Sequence, residues 1–569
     1  MENQTTASAQ LKQLLDEDWE FRMQANPLYA TTTGDQRFND RLPVMTEANF
    51  AGWLEAKRAF RERLRLINLA DLPAAHRLDY DIFLRLLENK INELGFRAYR
   101  MPISKMGGFH VDFPDLPRIT PFNTLLDYEN YIARLNGFHR FAEEFISLMR
   151  EGLRQGQVPA RVTLNGVDEA LRAHIVGLPE ESRLYLPFQE FPKGFSEAHQ
   201  KRLAELGQAA IRSSIVPGYQ ALLKFLEAEY LPAARQGIAA ADLPDGRAFY
   251  QHRIRYFTSL DLTPEAIHAI GQSEVKRIRE EMQAVIHKTG FRGSFREFIE
   301  FLRTDPRFYV TEPAQLLKET ALVLKRIDGE LPRLFKTLPR LSYGIRPIPD
   351  YAAPGNTAAY YYPGSGDGTR AGVYYVNTYD LKSRPLYEIE ALSLHEAVPG
   401  HHLQVAIQQE LTDLPNLRRF EGFTAFVEGW ALYAERLGLE VGFYEDPYSD
   451  FGRLSYEMWR ACRLVVDTGM HVLGWTRQQA IDFMADNTSS TLLNIANEVD
   501  RYIAWPGQAL AYKLGELKIC ELRERAEEAL CNRFDLREFH DVILGSGAVP
   551  LDVLEELVET WVGDKKGIV

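Results

Sequence analysis

Three of the 13 histidines fall within eight residues, in the run His395-Glu396-Ala397-Val398-Pro399-Gly400-His401-His402. The flanks Tyr387–Leu394 and Leu403–Leu411 carry helical patterning. Titratable groups packed this densely into a helix point to a bound metal, because neutral imidazoles and a carboxylate are the usual ligands of zinc. In the familiar H-E-x-x-H arrangement the two histidines stand four residues apart on one helical face, and the glutamate between them activates a water. Here the spacing from His395 is six residues to His401 and seven to His402. Seven residues of unbroken helix separate two side chains by about 10 Å along the axis, too far for one zinc with nitrogens at about 2.0–2.1 Å. Pro399-Gly400 resolves this, since proline interrupts the helical ladder and glycine tolerates a bulge. With those two residues looped out, His401 becomes the second ligand. His402 would need three residues looped out, and is expected to support the site from behind. Glu396 is then the general base.

A third ligand is expected on a neighbouring helix. The apolar segment Phe423–Glu435 carries two acids, Glu428 and Glu435, seven apart and therefore on one face. Burying them is costly unless they are paired or bound to metal. Glu428 is taken as the third ligand, and Glu435 as the acid that orients a ligand or meets an arginine. Two further segments could complete such a site. Asp467 and His471, four apart on a helix, either orient a ligand and assist the reaction or form a buried polar pair. In Asp500–Lys513, Tyr502 and Tyr512 are candidate donors to a developing oxyanion, or else core tyrosines. Arg501 and Lys513 are candidate cations for a substrate carboxylate.

The elements that must hold these groups are mostly helical. Residues 8–25, 46–68, 78–95, 124–155, 197–230, 263–289, 294–304 and 313–336 show apolar residues at three- and four-residue spacing. Thr263-Pro264-Glu265 reads as a helix start, and Thr311-Glu312-Pro313 as another. Gly290 and Gly293 mark the next boundary. Residues 339–382 break the pattern with proline, glycine and tyrosine. Val373–Asn377 reads as a short strand beside the histidine helix. Its edge could hold an extended peptide, with Arg370, Tyr375 and Asn377 touching it, although hairpin packing is the plainer reading of the tyrosines. An N-terminal lobe over 1–250 and a catalytic lobe over 251–569 are expected. The catalytic lobe would hold the small sheet (about 339–382) and the histidine and glutamate helices (about 385–440).

Composition narrows the function. There are 66 Lys+Arg against 79 Asp+Glu, a net charge of −13, which disfavours nucleic acid and anionic membrane surfaces as partners. Three cysteines, Cys462, Cys520 and Cys531, are too few for a disulfide framework. No apolar run is long enough to span a membrane, and no signal peptide is visible at the N-terminus. The default compartment is cytoplasmic, with periplasmic or secreted as the alternative for a chain whose leader has been removed. No G-x-S-x-G elbow occurs, and Gly364–Gly368 lacks the context of a phosphate loop.

The layout resembles the gluzincin metallopeptidases, with a His-Glu helix followed by a glutamate ligand on the next. His395-Glu396-x-x-Pro399-Gly400-His401-His402-Leu403-Gln404, then Phe426-x-Glu428-Gly429-Trp430-Ala431-x-Tyr433-x-Glu435, resembles a bacterial family catalogued as DUF885. Asn26-Pro27 with Gly34-Asp35, Asp467–His471, Trp505–Ala509 and Gly547–Leu551 extend the likeness over nearly the whole chain. The resemblance implies a mainly α, two-lobed fold with a deep cleft, like the angiotensin-converting-enzyme and oligopeptidase group. It also implies one zinc per chain and hydrolysis of short peptides. A metal-dependent amidase on a modified or non-peptide substrate, and a non-catalytic peptide-binding protein, are the competing readings. The substrate sequence and the oligomeric state are not encoded in these features.

Overall fold

The computed structural model of the chain describes residues 6–349, 353, 357–365, 368 and 370–567. It divides into two compact units, Met1–Phe249 and Tyr250–Val569. Both are mainly helical.

The first unit contains α1 (Ala7–Ala25), α2 (Glu47–Arg65), α3 (Ala74–Phe96), α4 (Leu125–Arg154), α5 (Glu197–Ala210) and α6 (Val216–Phe225). Local sequence sets several of the starts. Thr6 and Thr46 accept hydrogen bonds from the backbone of Ala9 and Asn49, and Thr124 forms a reciprocal box with Asp127. The core is aromatic: Phe109 stacks on Phe145 with ring centres 4.0 Å apart, and the hydroxyl of buried Tyr131 donates to Leu184 O. None of the predicted site residues lies here.

The second unit opens with α7 (Pro264–Thr289), capped by Thr263 and closed by Gly290 at a φ of +75°. Then come α8 (Phe295–Thr304) and α9 (Pro313–Leu334). Pro313 does start α9, but the residue before it, Glu312, makes no side-chain cap, so Thr311 is not the cap expected. A three-stranded sheet follows: β1 (Tyr343–Pro347), β2 (Ala359–Tyr362) and β3 (Gly372–Val376). Its order is β1-β3-β2, with β1 parallel and β2 antiparallel to β3. Tyr343 pairs with Gly372, and Tyr361 with Tyr374. The expected strand exists, one residue earlier than predicted. It is nevertheless the central strand, with neighbours on both sides, so it has no free edge for a peptide. The edge strand nearest the histidine helix is β2.

The chain continues through α10 (Ile389–Glu396), α11 (His401–Glu410), α12 (Thr424–Leu437), α13 (Pro447–His471), α14 (Leu492–Ala504) and α15 (Ala511–Leu530). Helix α13 is buried along nearly its full length of 25 residues, so its polar side chains must be satisfied within the protein. Helix α12 lies against α15 through two glycines. A Cβ on Gly429 would stand 2.4 Å from Gly515 C, and one on Gly515 only 1.9 Å from Ala425 O. This close approach fixes the helix that carries Glu428 and Glu435.

Candidate metal centre

Helix α10 ends at Glu396 and α11 begins at His401. The break spans Ala397–Gly400, wider than the two residues expected, and contains a cis Val398–Pro399 bond. The ladder resumes with His402 N donating to Ala397 O at 3.0 Å, five residues back instead of four. The loop is held from outside, since Trp430 Nε1 on α12 donates to Pro399 O at 2.8 Å. It is held from inside by contact: a Cβ on Gly400 would stand 1.9 Å from His395 O. The φ of Gly400 is −78°, so no left-handed backbone is involved, and the packing leaves no room for a side chain there.

The result places three donors together. The atoms offered by His395, His401 and Glu428 lie within 4.8 Å of one another. Glu428 Oε2 is 3.8 Å from His395 Nε2 and 3.5 Å from His401 Nε2. Ligands at about 2.0–2.1 Å from a tetrahedral zinc stand about 3.4 Å apart, so the spacing fits such an ion. Behind them, Glu435 Oε1 accepts from His395 Nδ1 at 2.8 Å. That contact assigns the proton to Nδ1 and leaves Nε2 as a donor to metal, the usual outer-sphere support of a ligating histidine. Arg460 Nη2 stands 3.5 Å from the same oxygen of Glu435. Glu435 thus touches both His395 and an arginine, the two contacts its expected roles require. His401 turns to Glu428, whereas His402 turns away: its Nδ1 is 3.0 Å from the Tyr361 hydroxyl, and its ring packs on Tyr343.

Glu396 is buried, and its Oε2 accepts from Tyr361 N on β2 at 2.9 Å. Burial raises its pKa to about 7, against the opposing charge of His401. Burial likewise raises Glu435 to about 7 despite Arg460. Burial also favours the acid form of Glu428, but the His401 hydrogen bond and the two imidazoles outweigh it and bring the carboxyl down to about 2. Burial drives His395 well below the usual imidazole range. In His401 the adjacent Glu428 overcomes burial, and the shift is upward.

Other predicted site residues lie elsewhere. Lys513 is fully buried, with Nζ at 2.8 Å from Glu457, 2.6 Å from Glu516 and 3.2 Å from Glu274. Three carboxylates consume its charge, so it cannot read a substrate. Arg501 is locked on Glu498 at 2.9 Å and on Gln508 at 3.1 Å. Asn377 is buried and donates to Ala353 O and Thr357 O, both at 2.9 Å, which makes it a brace for the loop and not a substrate contact. The Tyr502 hydroxyl accepts from both Trp459 Nε1 at 3.0 Å and Arg463 Nε at 2.9 Å, and so anchors an arginine instead of facing a reacting oxygen. Asp467 accepts from Tyr250 and Gly507 N, and His471 Nε2 donates to Tyr502 O, which is the buried polar role. Tyr512 is half-buried under the Arg463 guanidinium, 4.3 Å from its ring centre. Tyr375 stacks on Tyr360, and exposed Arg370 covers the Tyr362 ring. Missed in the sequence were the Tyr361 amide, which is backbone and leaves no residue signal, and Arg460 with Arg463. Those two cations stand three apart amid an apolar helical run, and that spacing is the signal that could have marked them.

The family model that matches covers residues 27–558 and is described as "Bacterial protein of unknown function (DUF885)". The chain belongs to the DUF885 family. No curated protein matches it. Among solved structures, a Colwellia psychrerythraea protein described as a "putative lipoprotein" is 30% identical, covers 98% of this chain and 100% of its own, and has a TM-score of 0.93. A Shewanella oneidensis protein, described as a "putative lipoprotein of unknown function", is similar in fold at 20% identity, with a TM-score of 0.73 over 96% and 99% of the two chains. Among the described residues no helix is long and apolar enough to cross a membrane.

Proposed function

We propose that this DUF885 chain is a zinc-dependent hydrolase that cleaves peptide bonds in short peptides. The observation that carries the reading is one arrangement: His395, His401 and Glu428 within 4.8 Å, with the buried carboxylate of Glu396 on the residue next to His395. The gluzincin likeness of the motif supports the same reading. When bound, a zinc ion at these donors supplies a Lewis acid and acidifies its water.

The chain's own residues supply the rest. Glu396 takes a proton from the attacking water on one carboxylate oxygen while Tyr361 N holds Oε2 in place. A carboxyl raised to about 7 by burial can return that proton to the leaving amine. Glu435 keeps His395 in the tautomer with Nε2 free. The outer side of β2 carries the Tyr361 amide that meets Glu396, so an extended peptide aligned along β2 passes the reacting centre. This transfers to β2 the role first expected of the central strand. Arg370 is an exposed cation beside the end of β2. The Colwellia neighbour's description as a lipoprotein supports an exported location over the cytoplasmic default.

The test is Glu396→Gln in the full chain. It should retain zinc yet lose about 10²- to 10⁴-fold in peptide turnover, the usual range for a general base. Unchanged turnover in a zinc-loaded variant rules out the assignment.

A further inference from the structure

The Glu396 carboxylate receives one hydrogen bond among the described residues, from Tyr361 N to Oε2 at 2.9 Å. A glutamate side chain turns about several bonds, so this single donor decides which oxygen faces the reacting centre. The amide is in turn only as well placed as the residue that carries it. β2 is an edge strand, and the Tyr361 amide points away from β3 and toward Glu396 on α10.

The Tyr361 side chain is fixed separately. Side chains alternate along β2: Tyr360 stacks on Tyr375 and Arg370 covers Tyr362, while Tyr361 turns to the other face, toward α11. Its hydroxyl meets His402 Nδ1 at 3.0 Å. Its ring lies across Gly372 of β3, where a Cβ would stand 2.3 Å from the hydroxyl oxygen and 2.8 Å from the ring. His402 is buried between the rings of Tyr343 and Tyr361, whose centres are 4.7 and 5.5 Å away. A polar ring buried among aromatics is costly unless its nitrogens are used. Here the Tyr361 hydroxyl and the backbone at Leu341 use them. Tyr361 therefore spans the break between α10 and α11. Its amide holds the residue after His395, and its hydroxyl holds the residue after His401.

We propose that Tyr361 and His402 are positioning residues for the general base: His402 fixes the Tyr361 hydroxyl, and through it the amide that occupies one Glu396 oxygen and leaves the other turned to the attacking water. The inference rests on the reading of Glu396 as the base of a peptide hydrolase. It gives the second histidine of the His401-His402 pair a role other than ligation. Small displacements of a reacting group are expensive, about 10²-fold for 1 Å, so a base held by one donor depends on what anchors that donor.

The test uses the full-length, zinc-loaded chain, labelled on its tyrosine amides and read by NMR. The Tyr361 amide is the signal that Tyr361→Phe removes. His402→Ala should move that signal upfield, toward its place in Glu396→Ala, while zinc uptake stays at the wild-type level. His402→Asn keeps an acceptor where Nδ1 stood and should restore most of the shift. The kinetic arm takes the peptide that the wild type cleaves fastest from an equimolar tetrapeptide library. Tyr361→Phe and His402→Ala should each lower kcat about 3- to 10-fold with KM unchanged, the worth of one hydrogen bond. In a Glu396→Gln background the same changes should cost less than about 2-fold, because they act through the base. A Tyr361 amide unmoved by His402→Ala overturns the proposal, and so does an equal kinetic loss with and without the Glu396 carboxylate. A loss carried by KM alone does the same, and makes Tyr361 a substrate contact. If the wild type cleaves nothing in the library, the peptidase reading falls and the positioning role with it. If the wild type cleaves peptides and Tyr361→Phe is as fast, only the positioning inference falls.

Discussion

Gly400→Ala is the smallest change that should disturb the whole centre. The added methyl would stand 1.9 Å from His395 O, 2.4 Å from Leu394 O and 2.6 Å from His395 C. Real Cβ contacts stay beyond 3.0 Å, so the backbone must open by at least 1.1 Å at the first contact. Neither side can yield cheaply. One is the last turn of α10, which carries His395 and Glu396. The other is the start of α11, pinned by Trp430 on Pro399 O. Metal ligands tolerate displacements of about 0.2 Å, so a shift of this size separates His395 from His401 as a pair. We expect a loss of about 1–3 kcal/mol in stability from overpacking, and a fall in zinc affinity of at least about 10- to 100-fold. Thermal unfolding in chelator reads the first effect, and zinc titration of the stripped protein reads the second. Gly52→Ala is the control. Gly52 is exposed within α2, and its Cβ would meet nothing within 4 Å, so it should gain about 0.5–1 kcal/mol. A Gly400→Ala protein with wild-type melting and wild-type zinc affinity would refute the claim that this contact sets the ligand geometry.

Two further outcomes follow from the buried charges. Burial raises the Asp467 pKa to about 7, against hydrogen bonds from Tyr250 and Gly507. The unfolded value is near 3.9, so the folded chain holds the extra proton between about pH 4 and 7. The stability linked to it is full below about pH 4 and is lost as pH rises through about 7, by up to about 1.4 kcal/mol per unit. Asp467→Asn should flatten that decline in a series of melting curves, and an unchanged pH slope would exclude Asp467 as its source. Lys513→Met takes the ion-pair partner from buried Glu516 and one cation from Glu274 and Glu457, which keep Arg277 and Arg453, and should cost about 3–5 kcal/mol, read as a lower urea midpoint. A near-normal midpoint would show that the cluster is not structural.

The sequence carried the parts of this architecture that depend on local chemistry. Thr263, Pro264 and Gly290 bound α7 because caps and chain reversals act within a few residues. That His401 and not His402 turns to Glu428 was legible in the break at Pro399-Gly400, although the break spans four residues and not two, and the burial of Glu428 and Glu435 was legible in their place on an apolar face. What escaped depended on distant partners. Val373–Asn377 has the residues of a strand, but its central place is decided by Tyr343–Pro347, about 30 residues earlier. Lys513 and Arg463 look alike in sequence. One meets Glu274 and Glu457 from other helices, while the other meets a tyrosine hydroxyl and Glu498 and keeps one donor without a partner among the described residues. Only packing tells them apart.

The central claim is that His395, His401 and Glu428 form one metal centre. Zinc titration of the metal-stripped full chain by calorimetry addresses it, with His401→Ala and His402→Ala measured beside the wild type. The account predicts saturation at about one zinc per chain, near-complete loss of binding in His401→Ala, and binding largely retained in His402→Ala. No saturable uptake by the wild type, or loss with His402→Ala while His401→Ala still binds, would contradict it.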